Sequence, residues 1–136
     1  MADKEYWVRV ISDFYLLGEI DLFFWYELIG LVSYDEDDNS LEKSTERRLN
    51  DAIDLATYLL ETGDFEMGRT CSSSERQISY VKFVGDRQSY FELLREDIRV
   101  NGLDHFETGI RYWISKINGR RMISPPPPAL KALFER

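Results

Sequence analysis

The strongest helical pattern in the chain lies in residues 104–119, DHFETGIRYWISKING. Its apolar residues recur at three- and four-residue intervals, as on one face of a helix: Phe106, Ile110, Trp113, Ile114 and Ile117. Asp104 and Glu107 have the spacing of a capping box, and Asn118-Gly119 is a typical helix stop. The stretch therefore predicts an amphipathic helix with a buried face.

Helices are also predicted on both sides of the chain's centre. Apolar residues at helical spacing between Trp7 and Leu17 predict a first helix that stops at Gly18. Residues 22–32, LFFWYELIGLV, are apolar nearly all round and favour a buried helix over a strand. Asn39 and Glu42 form a second capping-box pattern, which predicts a long third helix that ends at Gly63. Asp86 predicts the cap of a fourth, which Asn101-Gly102 stops.

The apolar period changes between the third and fourth helices. Phe65 and Met67, and then residues 78–84, read as two short strands around a polar turn. We therefore predict a mainly α fold, a compact domain of about five helices with one small β-hairpin between the third and fourth. Residues 1–136 form one domain in this prediction, with a core over 1–123 and a proline-rich tail over 124–136 that ends in a short helix.

Composition indicates the cellular compartment of this domain. A single cysteine, Cys71, excludes an internal disulfide, and no basic segment precedes an apolar signal core at the start of the sequence. Leu22 to Val32 is the most apolar run and is too short to cross a bilayer. We expect a cytoplasmic protein that does not insert into a membrane.

Charge is distributed unevenly along the chain. Residues 1–66 hold 17 acidic and 5 basic residues, a formal charge of −12, whereas residues 67–136 hold 8 acidic and 12 basic ones, a charge of +4. Four acids stand together in the stretch SYDEDDNS, residues 33–40. Such a field attracts cationic partners and repels nucleic acid and anionic membranes.

The residues that usually carry chemistry are sparse, so we predict neither an enzyme nor a cofactor. The only histidine, His105, is expected in the first turn of a helix, and Cys71 has no histidine near it in sequence. One cysteine and one histidine cannot make a zinc site, and no phosphate-binding glycine loop is present. Asp35, Asp37 and Asn39 alternate like calcium ligands, but Ser40 stands where the loop needs glycine. No metal site is predicted.

Aromatic residues interleaved with acids favour a protein that binds a basic protein. The alternative reading of the same residues is a core helix followed by a solvated loop. The separation of charge favours the interface, with two acids of the long helix as a flanking patch. The predicted partner-binding residues are Tyr34, Asp35, Glu36, Asp37, Asp38, Asp51 and Asp54.

Residues 56–69 (ATYLLETGDFEMGR) and 89–119 are similar in layout to small bacterial immunity proteins, which are encoded beside polymorphic or contact-dependent toxins. The matching positions are Leu59, Leu60, Gly63, Gly68 and Trp113. The resemblance implies a cytoplasmic inhibitor that binds a cognate toxin, commonly a nuclease, and no nucleic acid directly. A nuclease is basic because it holds nucleic acid, so an acidic inhibitor fits it.

Two alternatives remain open at this level. The chain is an adaptor or an assembly subunit if the proline-rich tail serves as a docking arm. It is a winged-helix nucleic-acid-binding protein if the helices and the hairpin pack in that arrangement, although the acidic half opposes DNA.

Overall fold

The computed structural model describes residues 6–18, 21–72, 78–103 and 111–136. Within these ranges the chain is a mixed α/β structure in which helices pack against one face of an antiparallel sheet. The helices are α1 (Tyr6–Leu17), α2 (Trp25–Ser33), α3 (Thr45–Glu61), α4 (Arg87–Asn101) and a C-terminal 3-10 helix (Pro128–Phe134). The strands are β1 (Phe23–Phe24), β2 (Phe65–Ser72), β3 (Ile78–Lys82) and β4 (Tyr112–Lys116), in the order β1-β4-β2-β3.

The prediction of a mainly α fold with one small hairpin is therefore wrong. β2 and β3 do pair as a hairpin between α3 and α4, with Thr70 opposite Tyr80. However, β2 also pairs along its other side with β4, and β4 pairs with β1. β1 and β4 come from parts of the chain far from this hairpin, so the sheet joins the N-terminal and C-terminal halves.

The helix predicted across residues 104–117 is wrong over Tyr112–Lys116, which is the strand β4, although Arg111 just before it is helical. Residues 104–110 lie outside the described ranges. Tyr112 and Ile114 face the helices, whereas Trp113 points to the opposite face and covers Gly68 of β2. A Cβ on Gly68 would lie 1.9 Å from Trp113 Cζ2. The aromatic and β-branched residues of this run suit a strand as well as a helix. Pairing with β2 is what favours the strand over the helix.

The N-terminal predictions are confirmed in part. α1 has the predicted extent and stops at Gly18, whose amide donates to the carbonyl of Phe14 (3.0 Å). Of residues 22–32, only the part from Trp25 onward is helical, and β1 precedes it. Glu27 Oε2 accepts from the amide of Phe24 (2.7 Å), so an acid inside the apolar run caps the start of α2.

α3 begins later than predicted. Ser44, rather than Asn39, is its N-cap, and the Ser44 hydroxyl accepts from the amide of Arg47 (3.1 Å). Glu42 has a φ of +57° and lies outside the helix. The predicted cap of α4 is confirmed, because Asp86 Oδ1 accepts from the amide of Ser89 (2.7 Å).

The C-terminal 3-10 helix packs into the same core as the other helices. Leu130, Leu133 and Phe134 are buried there. The ring of Phe134 meets the ring of Tyr6 edge-on at 5.7 Å, so the two ends of the described chain are in contact. The ammonium of Lys43 donates to the carbonyl of Leu133 (2.6 Å) and fixes the helix to the segment before α3.

Candidate functional site

The acidic stretch forms a closed turn between α2 and α3. Tyr34 and Ser40 face each other in a single β-bridge, and the Asp35 amide donates to the carbonyl of Asn39 (2.9 Å). The chain enters and leaves the turn together, because the amide of Leu41 donates to the carbonyl of Ser33 (2.9 Å). The turn therefore holds its acids in fixed positions.

The side chain of Asp35 helps to hold this turn. Its Oδ1 accepts from the amides of Asp37 and Asn39, each at 2.9 Å. These bonds, with that of Asn39 the larger, hold the pKa of the Asp35 carboxyl below its ordinary value. In the ranges that the structure covers, no cluster of three or more His, Cys, Asp or Glu side chains could hold a metal.

A groove of about 450 Å³ runs between α1 and α2 and ends at the acidic turn. Gly30 contributes to its wall from the middle of α2. Apolar side chains form most of its surface, namely Val10, Phe14, Leu17, Phe23 and Leu31. Two tyrosines and four acids complete it, namely Tyr6, Tyr34, Asp13, Glu27, Asp35 and Asp38. A groove with apolar walls and several carboxylates suits a ligand that is both apolar and cationic.

The carboxylates of the groove differ in how much they are already satisfied. Over the described part of the chain, those of Asp13 and Asp38 make neither a hydrogen bond nor an ion pair. Glu27 is engaged through one oxygen with the start of α2. Burial, and then the charges of Glu36, Asp35 and Asp38, raise the pKa of the Tyr6 phenol, against the opposing effect of Arg9. The negative charges of the turn therefore act together at this end of the groove.

Two of the predicted residues lie on the other side of the turn. Glu36 forms an ion pair with Arg9 of α1. Glu36 and Asp37 line a second cavity, of about 320 Å³, against the 3-10 helix, where Lys131 supplies a positive charge. The turn thus separates an acidic groove from a mixed-charge cavity, and Tyr34, which is 46% exposed, remains on the groove side.

The structure does not bring Asp51 and Asp54 into the groove. Asp51 lies between two cations, with Lys43 Nζ at 2.8 Å and Arg47 Nε at 3.4 Å, and its side chain is 13% exposed. Burial lowers the pKa of Lys43, and the contact with Asp51 opposes that effect. Asp54 is exposed, and burial and then Asp51 raise its pKa. The predicted flanking patch is therefore partly neutralised.

Sequence reasoning missed three contributors to the groove: Asp13, Glu27 and Gly30. Each stands between apolar residues of α1 or α2, and that position is the signal that could have identified them. Cys71 and His105, the residues considered above for nucleophilic chemistry, are not brought together among the described residues. Cys71 lies in β2, and His105 lies outside the described ranges.

None of the helices in the described residues has the length and apolar character needed to cross a membrane. A scan against protein-family models finds no match for this chain, and searches of curated proteins and of solved structures find none either.

Proposed function

We propose that this chain is a cytoplasmic immunity protein that binds and neutralises a basic, nuclease-type bacterial toxin. The observation that supports the proposal most is the two carboxylates of Asp13 and Asp38, which have no partner among the described residues and lie beside an apolar groove and a closed acidic turn. A basic protein can gain from such a surface in two ways. The acidic turn attracts the basic protein during the encounter. Apolar side chains of that protein are then buried in the groove.

Geometry favours binding by a preformed site. The turn is held by backbone hydrogen bonds, and Arg48 Nε donates to the hydroxyl of Ser33 (2.7 Å), which links the end of α2 to α3. Little ordering entropy is then lost when a partner docks, and this favours affinity. The acidic surface of such an inhibitor would occupy the site on the nuclease that binds nucleic-acid phosphates, because both carry negative charge.

The alternative functions receive less support. For the adaptor reading, Leu130, Leu133 and Phe134 are buried in the core, which leaves only the exposed prolines Pro125, Pro127 and Pro128 for docking. The winged-helix reading relied on helices after the hairpin, and β4 takes the place of one of them. The inhibitor is therefore the better supported of the proposed functions.

The proposal predicts that neutralising the groove and turn weakens inhibition. The test variant carries Asp13→Asn, Asp37→Asn and Asp38→Asn, and asparagine also tolerates the positive φ of 63° at position 38. We expect association with the basic toxin domain encoded by the neighbouring reading frame to slow about tenfold at low salt. Stopped-flow association rates and growth rescue on co-expression give the two readouts.

The matched control removes the same amount of charge from exposed positions away from the groove, through Glu46→Gln, Glu61→Gln and Glu92→Gln. Its association should slow less than about twofold, because screened charges far from an interface contribute little. Equal rates for wild type and the groove variant, with both folded, would exclude this surface. Failure of the wild-type chain to rescue growth would exclude this toxin as its target.

A further inference from the structure

The groove contains an empty space at Gly30 that the fold does not require. Six of the seven described glycines have a local reason: Gly63, Gly85, Gly102 and Gly119 have positive φ, and Gly18 and Gly68 have no room for a Cβ. Gly30 has neither property, since nothing lies within 4 Å of the position its Cβ would take. Glycine is a poor residue for the interior of a helix, so its presence in α2 is unexplained by packing within the described chain.

We infer that this space receives an arginine side chain of the basic partner, which enters between α1 and α2 with its guanidinium among the carboxylates. The inference rests on the proposed function and specifies the partner group that the site takes. The apolar surfaces of Leu17, Phe23 and Leu31, which are exposed or half-buried, suit the methylene stem, because long cationic side chains bury their stems against apolar surface.

Charge within the groove favours a cation with several donors. Asp13 comes from α1, Glu27 from α2 and Asp38 from the turn, so the carboxylates approach from three elements. A guanidinium presents five N–H donors in a plane and can serve more than one carboxylate, whereas an ammonium is a compact point charge. The ring of Tyr34, 46% exposed at the groove, offers a face on which a guanidinium can stack.

The volume sets a further limit on the occupant. At about 450 Å³ the groove is within the range of pockets that hold small ligands. It therefore has room for an apolar residue next to the arginine. The segment expected in the groove is an Arg-apolar pair presented by the surface of a basic protein.

Short blocked peptides test the inference without the toxin. The probes are acetyl-Ala-Arg-Leu-Ala-amide and the same peptide with lysine or with citrulline, which keeps the shape of arginine and lacks its charge. In ¹⁵N NMR titrations of the full chain, the arginine peptide should produce saturable shifts at residues 13, 27, 30 and 38. The lysine peptide should bind about fivefold more weakly and the citrulline peptide about tenfold more weakly. Equal shifts from arginine and citrulline would overturn the inference.

Substitutions at Gly30 test the space directly. Gly30→Leu should fill the groove and weaken the arginine peptide about tenfold, while Gly30→Ala should weaken it about twofold, since the helix accepts both residues. Circular dichroism and a urea titration establish that both variants fold. Unchanged peptide binding by folded Gly30→Leu contradicts the inference.

The toxin separates this inference from the proposed function. If Gly30→Leu inhibits the toxin normally while the Asp13, Asp37 and Asp38 variant does not, the acidic surface is the site and no side chain enters the groove. If both Gly30→Leu and the Asp13, Asp37 and Asp38 variant lose inhibition, and Gly30→Ala loses less than Gly30→Leu, the insertion is supported. If neither does, both proposals fail.

Discussion

At the residue scale, several tyrosine hydroxyls carry the buried polar contacts of the fold. Tyr90 is fully buried, accepts from Trp25 Nε1 (3.1 Å) and reaches the carbonyls of Gly68 and Trp113 (3.0 and 3.1 Å). It therefore ties α2 and α4 to the two central strands. Tyr15 of α1 donates to Asp64 Oδ2 (2.5 Å), which lies just before β2. Sequence periodicity places Tyr90 on the buried face of its helix but does not predict that Tyr15 is buried, and it gives no indication of either hydroxyl's hydrogen-bond partners.

Tyr15→Phe should lower the free energy of unfolding by about 2 kcal/mol at neutral pH, because a hydrogen bond to a carboxylate is lost. The matched control is Tyr80→Phe, at a side chain that is 57% exposed, where a change below about 0.5 kcal/mol is expected. Urea unfolding followed by circular dichroism measures both. Equal losses in the two variants would mean that the contact with Asp64 contributes nothing.

Tyr15 also makes the free energy of unfolding depend on pH in the alkaline range. Burial, and then the hydrogen bond to Asp64, raise the pKa of Tyr15 to about 12 from an ordinary value of 10.0. The folded chain therefore holds this proton more tightly than the unfolded chain does. The contribution of Tyr15 is complete below pH 10 and declines as the pH rises through about 12. The difference in unfolding free energy between wild type and Tyr15→Phe should shrink by about 1 kcal/mol between pH 9.5 and 11.5.

At the scale of elements, β4 is where the sequence and the structure diverge most. Phe106, Ile110 and Trp113 satisfy a helical period, yet Tyr112–Lys116 lies in the sheet between β1 and β2. A short apolar run fits either period, and only a long-range partner distinguishes them. Here the partner is Gly68, whose missing side chain makes room for the indole of Trp113. The predicted caps at Asp86 and the stop at Gly18 are local features, and both are present.

Gly68→Ala should be strongly destabilising because the added Cβ meets the Trp113 ring at 1.9 Å. Overpacking of this kind costs about 3 kcal/mol, since either the ring or the β2–β4 pairing must shift. Gly30→Ala is the matched glycine control and should be neutral or stabilising by about 0.5 kcal/mol, because it adds a better helix former in open space. Midpoints of thermal unfolding compare the two. Similar midpoints for Gly68→Ala and wild type would contradict the packing of Trp113 over Gly68.

At the scale of the whole molecule, the two charge classes of the sequence are interleaved by the fold. β1 from the acidic half pairs with β4 from the basic half, and Arg95 donates to Asn50 Oδ1 (2.9 Å) across α4 and α3. Two acids of α3 also pair with cations, Asp51 with Lys43 and Glu61 with Arg87, whereas the groove is built entirely from residues 6–38. The surface most favourable for a cationic partner is thus smaller than the acidic half of the sequence.

The C-terminal segment closes the core, and its removal should affect the whole domain. Deletion of residues 128–136 removes the buried side chains of Leu130, Leu133 and Phe134 and takes the Leu133 carbonyl from Lys43. Each large core side chain contributes about 2–5 kcal/mol, so the loss approaches the total stability of a typical domain. We expect no cooperative urea transition in the truncated chain. Deletion of Arg136 alone, which removes one exposed ion pair with Glu42, is the control and should leave the transition in place. A cooperative transition at the wild-type midpoint after the longer deletion would show that the segment is not part of the core.

The sequence by itself determined the local features of this protein: the extent of α1, the cap of α4, the β2–β3 hairpin and the acidity of the turn after α2. These depend on contacts within a few residues, which composition and spacing record directly. Only the tertiary structure decided that Tyr112–Lys116 is a strand, that Asp51 is paired with Lys43, and that Asp13, Gly30 and Asp38 share one groove. Those outcomes depend on which segments the fold brings together, and local sequence patterns do not record a strand register, an ion pair between segments or the side chains that surround a groove.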